Sequence, residues 1–226
     1  YFKVMRIRPD QPDWPGRDRF ILSKGHAAPA LYATLAARGF LLPDELLTFD
    51  QINSRLQGHP CMRTTPGVDM SSGSLGQGLS VGLGMALGSG LRGRQLHVWV
   101  LLGDGELQEG QVWEAAMAAS KYKVANLTAI VDLNALQLAG STEETMPLKP
   151  LGEKWQAFGW DVIAVNGHEF QEIIPALEQA KAGEKPTAIL AATIKGKGVS
   201  FMENQVAWHS GGIDNQQLIQ ALKELN

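Results

Sequence analysis

The sequence is poor in cysteine and has no excess of charge of either sign. Its one cysteine, Cys61, stands in a chain of 226 residues. A lone cysteine excludes a disulfide framework and a cysteine zinc cluster, so we interpret it as a bystander thiol and expect a cytoplasmic location. Twenty Lys and Arg residues against 23 Asp and Glu give a formal charge of −3. Without a basic run, we expect no binding of nucleic acid.

Long hydrophobic runs are also missing. The longest weakly polar stretch, residues 76–91, is too short to span a bilayer and is interrupted by six glycines. We therefore predict a buried helix there and expect no association with a membrane. The chain opens on Tyr1 without a methionine, a basic region or a cleavage pattern, so we expect a segment upstream to be missing.

The hydrophobic residues, 44% of the chain, fall into short runs separated by helical patterns. Four runs lack strict alternation and suit strands buried on both faces: 96–102, 127–131, 162–165 and 188–192. Helices are predicted at 27–38, 43–49, 112–123, 151–158 and 169–181, the last bent at Pro175. This alternation predicts one α/β domain over residues 1–226, with a parallel sheet and helices on both of its faces.

Polar residues follow two of the predicted strands. Asp104 stands between two glycines directly after residues 96–102, and Asn134 follows residues 127–131. Ligands of open parallel sheets bind at the carboxyl ends of the strands, where neighbouring crossover units meet. A carboxylate and an amide oxygen suit Mg²⁺, which usually completes its shell with water and phosphate oxygens. The pair therefore indicates a magnesium site that holds a diphosphate.

A simpler interpretation of the Gly103–Gly105 turn is that Asp104 only caps a helix over residues 106–121. For the tripeptide alone this interpretation is the stronger one. The presence of Asn134 about thirty residues later favours the metal site. A glycine-rich string at residues 88–93 also matches a dinucleotide fingerprint, but it precedes a strand where the fingerprint should follow one.

The segment from Gly103 to Asn134 resembles the thiamine diphosphate signature of transketolases. The resemblance runs from about Trp14 to the C-terminus and rests on five further motifs in family order: 18–26, 58–60, 73–78, 105–110, and 194–198 leading to His209. It implies a thiamine diphosphate-binding fold, and within it the type of domain that binds the diphosphate group of the cofactor. It also implies thiamine diphosphate and Mg²⁺ as cofactors, with Ca²⁺ or Mn²⁺ able to replace Mg²⁺.

The same resemblance implies a role for individual residues. Metal ligands would be Asp104, Asn134 and the carbonyl of Leu136. Cofactor contacts would come from His26, Gly73, Ser74, Leu75, Gly105, Asn134 and His209, and the substrate funnel would be lined by the catalytic histidines His26, His59 and His209. A neutral imidazole can exchange a proton with a sugar hydroxyl near neutral pH, which independently favours the histidine roles. Glu109 and Glu114 match acidic residues between the two cofactors of a dimer. His97 and His168 carry no assignment.

The sequence departs from the family pattern at three positions of one loop. Ala135 stands where relatives carry glycine, Ala139 replaces a frequent aspartate, and Leu133 replaces the first asparagine of the signature. A Cβ at position 135 would be disfavoured if the backbone there had a positive φ. We therefore expect the loop from Asn134 to Gly140 to differ locally from that of relatives.

The resemblance covers only one half of the family's machinery. The pyrimidine-binding domain, which in the family supplies a glutamate to the cofactor ring, is expected on a separate C-terminal subunit, in an α2β2 assembly. We therefore expect ketol transfer from a ketose phosphate to an aldose phosphate, and no activity of this chain alone. Two alternatives stay open: another thiamine diphosphate-dependent transfer, such as deoxyxylulose-phosphate synthesis or transfer to an unusual acceptor, and a non-catalytic paralogous subunit.

Overall fold

A parallel sheet of five strands organises the chain, which the computed structural model describes over residues 1–226. The strands are β1 (Arg19–Leu22), β2 (Val98–Gly103), β3 (Leu127–Leu133), β6 (Asp161–Asn166) and β7 (Thr187–Ala192), and a small antiparallel hairpin is formed by β4 (Leu136–Gln137) and β5 (Gly140–Ser141). The order across the sheet is β1-β2-β3-β7-β6, and every neighbouring pair is parallel. The predicted parallel sheet is confirmed.

Seven α-helices and four short 3₁₀ helices connect and follow the strands. The α-helices are α1 (Ala28–Ala37), α2 (Gln77–Leu91), α3 (Gly110–Lys121), α4 (Thr142–Thr145), α5 (Leu151–Ala157), α6 (Phe170–Ala182) and α7 (Asn215–Leu225). The 3₁₀ helices span Gly25–Ala27, Pro43–Thr48, Gly105–Gln108 and Val206–His209. Pro175 lies inside α6, as the sequence predicts. None of the helices combines the length and apolarity needed to cross a bilayer.

Side chains that alternate along the central strands fill two separate layers. Val98 and Val100 of β2 pack with helices α2, α3 and α5, whereas Trp99 between them packs with α6. A third cluster forms around α1 and includes Tyr32 and Leu35. Because side chains of a strand point alternately to its two faces, the sheet is covered on both sides. The central strands are therefore hidden from water, which explains their continuous apolar runs.

The predictions from the sequence differ from the structure at four segments. β1 has only four residues and α7 was not predicted, although Asp214 and Gln217 form a capping box at its start. The predicted helix 112–123 is α3, and the longer helix over residues 106–121 that the capping interpretation of Asp104 required is two elements, because Glu109 has an extended backbone with φ −75° and ψ 126° between the 3₁₀ turn and α3. The helix predicted at residues 43–49 is a 3₁₀ helix. The last two differences concern the type and the ends of a helix, which periodicity alone does not define.

Candidate active site

The predicted metal ligands meet at the carboxyl edge of the sheet. Strands β2 and β3 pair with Gly103 opposite Asp132, and the Asp104 amide donates to the Asp132 carbonyl at 3.2 Å. The Asp104 carboxylate spans the same gap, since its Oδ2 accepts from the Ala135 amide at 2.6 Å and its Oδ1 accepts from the Gly105 amide at 2.8 Å. Asp104 and Asn134 thus lie at adjacent strand ends, which these hydrogen bonds hold together.

A cleft of about 900 Å³ opens at this edge. It is lined by eight of the predicted site residues: His26, Gly73, Leu75, Asp104, Gly105, Asn134, Leu136 and His209. Another cleft of about 780 Å³, which is lined by five arginines, contains none of them. The topology therefore brings residues from distant segments of the sequence into one cavity.

Two predicted residues lie outside the lining of this cleft. Ser74 is exposed, and its neighbours Gly73 and Leu75 face the cavity instead. His59 is also exposed, and its ring packs beside Gly73, where an added Cβ would come within 3.3 Å of the His59 Cδ2 atom. His59 therefore borders the entrance of the cleft and does not face its floor.

Asp104 is a buried carboxylate that lacks a direct cationic partner. Only 3% of it is exposed, and it forms hydrogen bonds with backbone amides but no ion pair. Burial is the largest effect and raises the pKa of Asp104 above its usual value, against the two amide hydrogen bonds. A divalent cation at this carboxylate would stabilise its ionised form. The electrostatics of the residue thus fit a metal ligand.

Asp132 orients the second predicted ligand. The Asn134 amide nitrogen donates to Asp132 Oδ2 at 3.2 Å, and the Leu136 amide donates to Asn134 Oδ1 at 3.0 Å. Asp132 also accepts from Lys24 and from the Thr193 hydroxyl. Burial opposes ionisation of Asp132, but Lys24 and these hydrogen bonds hold its pKa below the usual range. The amide oxygen of Asn134 is therefore fixed in direction on the cleft side of β3.

The donor set suits an ion that takes part of its shell from a bound phosphate group. No group of three or more His, Cys, Asp or Glu side chains is arranged to hold a metal. One carboxylate, one amide and a backbone carbonyl leave several positions of an octahedral shell for water and phosphate oxygens, as Mg²⁺ prefers. These residues fit Mg²⁺ together with a diphosphate better than Mg²⁺ alone.

Positively charged and polar groups line the same cleft as the predicted metal ligands. Lys24 and Lys195 both line it, and burial together with the neighbouring Lys24 lowers the pKa of Lys195. His209 Nδ1 is buried without a hydrogen-bond partner, and its ring stacks on that of His26 with centroids 5.0 Å apart. An unsatisfied buried polar atom beside two lysines is the arrangement expected where an anionic ligand binds.

The two stacked histidines are neutral at physiological pH. His26 is an exposed residue, but desolvation of its ring and the nearby His209, Lys24, Lys195 and His59 lower its pKa to about 4. Burial is also the largest cause that lowers the pKa of His209. Neutral imidazoles can both donate and accept hydrogen bonds. This is the protonation state that exchange with a sugar hydroxyl requires.

Sequence reasoning missed four residues of this cleft: Lys24, Asp132, Thr193 and Lys195. Their signal was present, because each stands at or next to a strand end or inside one of the motifs quoted above. His168, which carried no assignment, also lines the cleft, and its Nε2 accepts from the Ile194 amide at 2.8 Å. His97 is buried in the core and shares a 2.8 Å hydrogen bond with Thr128.

The acidic residues assigned to a dimer interface lie on the outside of this chain. Glu109 is exposed and borders the cleft, and Glu114 is exposed on α3. Their role at an interface stays a prediction.

The backbone at Ala135 has a φ of +61°, in the left-handed region. Ala135 therefore carries its Cβ in a backbone conformation that disfavours one.

Fold and site together define a parallel α/β domain that binds an anionic cofactor at the carboxyl edge of its sheet. The family description "Transketolase, thiamine diphosphate binding domain" matches residues 1–225. The chain therefore belongs to the transketolase family and comprises its thiamine diphosphate-binding domain.

The chain is similar to relatives of two kinds, shorter proteins that are named as subunits and longer transketolases. It is 44% identical to an apulose-4-phosphate transketolase subunit of Phocaeicola vulgatus and 47% identical to the 6-deoxy-6-sulfo-D-fructose transketolase subunit SqwG of Clostridium sp. strain MSTE9; the alignments cover all of this chain and 80% and 82% of those subunits. Human transketolase is 42% identical over 226 residues, which are 36% of its length.

Solved transketolase structures show the same fold. The Campylobacter jejuni enzyme superposes with a TM-score of 0.93 at 32% identity, over 98% of this chain and 36% of that one. A Pichia stipitis transketolase in complex with sedoheptulose 7-phosphate gives 0.94 at 31% identity, over 99% and 35%. The chain thus spans about a third of single-chain transketolases but about four fifths of the relatives named as subunits.

Proposed function

We propose that this chain is the diphosphate-binding subunit of a split transketolase. Assembled with a second chain that carries the pyrimidine-binding domain, it would transfer a two-carbon ketol unit from a ketose phosphate to an aldose phosphate. The observation that supports this most is the convergence of Asp104, Asn134 and Leu136 in one cleft with His26 and His209. The similarity to relatives that are named as transketolase subunits supports the split arrangement.

In this proposal, Asp104, Asn134 and the Leu136 carbonyl hold Mg²⁺, and Lys24, Lys195 and His209 bind the diphosphate. Bound thiamine diphosphate supplies the carbon nucleophile and the electron sink for breaking and forming a carbon–carbon bond next to a carbonyl. The protein supplies position and charge. Asp132 fixes the direction of the Asn134 amide, and Gly105 lets the backbone approach the ligand closely because it has no Cβ.

The histidines act on the sugar. Neutral His26 and His209 stack at the cleft, so each can donate a hydrogen bond to a carbonyl oxygen or accept the proton of a hydroxyl. His59, at the entrance, can reach the part of the sugar that extends outward. Exchange of these protons accompanies the cleavage and re-formation of the ketol bond. We therefore expect His59→Ala to lower turnover more than cofactor affinity.

Reconstitution tests the proposal. This chain, a candidate chain with the pyrimidine-binding domain, and the mixture are each supplied with thiamine diphosphate and Mg²⁺, and ketol transfer from a ketose phosphate is followed. Turnover is expected only in the mixture, and its elution as a heterotetramer would support the α2β2 arrangement. Because two relatives are named for apulose 4-phosphate and 6-deoxy-6-sulfo-D-fructose, both sugars should be among those tested in the assay. Turnover by the isolated chain would contradict the split arrangement.

Asp104→Ala provides the matching site test. The variant removes the carboxylate and its hydrogen bonds to Gly105 and Ala135, so retention of thiamine diphosphate should be lost while the circular dichroism spectrum stays that of the wild type. Asp10→Ala, at an exposed position outside the cleft, is the control. Wild-type cofactor retention by Asp104→Ala would remove the metal assignment.

A further inference from the structure

Glu106 is a buried carboxylate that none of the site assignments uses. It lies in the 3₁₀ turn after Asp104, and only 3% of it is exposed. A buried carboxylate is costly unless its oxygens accept hydrogen bonds from well-placed donors. The contacts of Glu106 therefore indicate what it stabilises.

Three hydrogen-bond donors from three different segments converge on this side chain. Its Oε1 accepts from the Gly76 amide at 2.9 Å and from the Ser23 hydroxyl, and its Oε2 accepts from the Gly103 amide at 3.1 Å. The Ser23 oxygen in turn accepts from the Gly78 amide at 3.2 Å, so the Ser23 proton is directed at Glu106. All three neighbours are donors, and this matches an ionised carboxylate, which only accepts.

Each donor belongs to a segment that forms one wall of the cleft. Ser23 directly precedes Lys24-Gly25-His26, Gly76 directly follows Gly73-Ser74-Leu75, and Gly103 directly precedes Asp104. These segments come from three separate parts of the sequence, and the Glu106 carboxylate is bonded to all three. Moving its carboxylate would change the spacing between the metal ligand, the histidine turn and the glycine loop at the same time.

Helix α2 depends on the same carboxylate. The helix begins after Gly76, which has a φ of +79° and no side chain to cap the free amides of the first turn. Glu106 and Ser23 accept from the amides of Gly76 and Gly78 instead. A carboxylate at this end also interacts favourably with the positive end of the helix dipole. Glu106, which lies outside the loop of Leu75, thus sets the position of Leu75 in the cleft.

We propose that Glu106 is a positioning residue for the cofactor, whose carboxylate holds the Ser23–His26 turn, the Gly73–Gly76 loop and the Gly103–Gly105 turn in the spacing that thiamine diphosphate and its metal ion need. The inference rests on the proposed function. It assigns Glu106 no contact with the cofactor or the substrate. Its effect passes through the backbone of the three segments.

Glu106→Gln is the main test, since glutamine has nearly the same shape but only one acceptor oxygen. Whichever way the amide is turned, its NH₂ group faces a backbone N–H or the Ser23 hydroxyl. In the assembled two-chain enzyme with Mg²⁺, we expect the Kd for thiamine diphosphate to rise at least about tenfold, measured by isothermal titration calorimetry. Hydrogen exchange at the Gly76 and Gly103 amides of the cofactor-free protein should accelerate.

Three further variants separate positioning from general stability. Glu153→Gln, the same change at an exposed side chain without hydrogen bonds, should leave the Kd unchanged. Val124→Ala removes buried volume from the main core away from the cleft, and it should lower the melting temperature without changing the Kd. Ser23→Ala removes one of the three donors and should raise the Kd by a smaller factor, about threefold. This last variant keeps the test decisive if Glu106→Gln does not fold.

The outcomes distinguish the inference from the function on which it rests. If wild-type assembly binds no thiamine diphosphate, the proposed function fails. If the wild type binds it and both Glu106→Gln and Ser23→Ala keep the wild-type Kd and amide protection, the positioning role is wrong. An equal rise of the Kd in Val124→Ala would also overturn it, because any loss of stability would then weaken binding.

Discussion

At the scale of the residue, Ala135 is the clearest departure from the family pattern. Its φ of +61° lies in the left-handed region, where a Cβ costs about 1–2 kcal/mol. The residue donates its amide to Asp104 and follows Asn134, so the strain lies inside the proposed metal site. An alanine here is tolerated because the hydrogen bonds of both neighbours fix the backbone around it.

Ala135→Gly should therefore stabilise the chain. Relief of the strain exceeds the extra backbone entropy of glycine, and we expect a gain of up to about 1 kcal/mol in the free energy of unfolding by urea titration. Ala139→Gly in the same exposed loop is the control, because Ala139 has no positive φ. A gain of equal size in Ala139→Gly would show that strain at position 135 is not the cause.

The buried His97 should make the stability of the chain depend on pH. Burial is the main cause that lowers its pKa to about 4 from an ordinary value near 6.5, and Asp18 opposes the shift. Since the unfolded chain takes up this proton at higher pH than the folded chain, the free energy of unfolding should fall as pH drops from about 6.5 to about 4. Between pH 7.5 and 5 this one group should account for about 2 kcal/mol.

The measurement compares wild type with His97→Gln. Urea unfolding at both pH values should show a smaller loss of stability on acidification in the variant, because glutamine does not titrate there. NMR should find the His97 ring neutral at pH about 5. A ring that titrates near 6.5 in the folded protein would refute the assignment.

At the scale of the element, helix α2 contains glycines with opposite requirements. Gly76, at its start, has a φ of +79°, and a Cβ there would approach the Glu109 Cβ to 2.7 Å. Gly84, inside the helix, has no atom within 4 Å of such a Cβ. The two positions share the helix but not the constraint, because only the first sets the angle at which the chain enters from the cleft.

Alanine substitutions should thus have opposite signs. Gly84→Ala should stabilise the isolated chain by about 0.5–1 kcal/mol through higher helix propensity. Gly76→Ala should destabilise it by at least about 1 kcal/mol and weaken cofactor binding in the assembled enzyme, because Leu75 and the Glu106 contact would move. Thermal unfolding checks the two stability values, and calorimetric titration checks the binding. Equal effects of both substitutions would contradict the structural distinction.

At the scale of the whole molecule, the cofactor should link stability to the metal ion. A ligand that binds only the folded state at about 100 times its Kd contributes about 2.7 kcal/mol. For a domain of this size, this corresponds to a rise of about 5–10 °C in the melting temperature of the assembled enzyme. Chelation with EDTA should abolish the shift, because in the proposed function Asp104 would help to hold the metal ion that the cofactor needs for binding. A shift that survives chelation would argue against the metal site.

The sequence by itself determined the α/β class, the strand runs, the Asp104–Asn134 pair and the family, because buried parallel strands need continuous apolar runs and the motifs lie at strand ends. Only the tertiary structure decided that Asp132 orients Asn134, that Glu106 joins three segments and that His59 lies at the entrance, not on the floor. Glu106 contacts Gly76 and Ser23 across 30 and 83 positions, and the Asp132 side chain that orients Asn134 is itself held by Lys24, 108 positions away. Local pattern carries no information about such contacts, since they arise when the sheet brings distant loops to one edge.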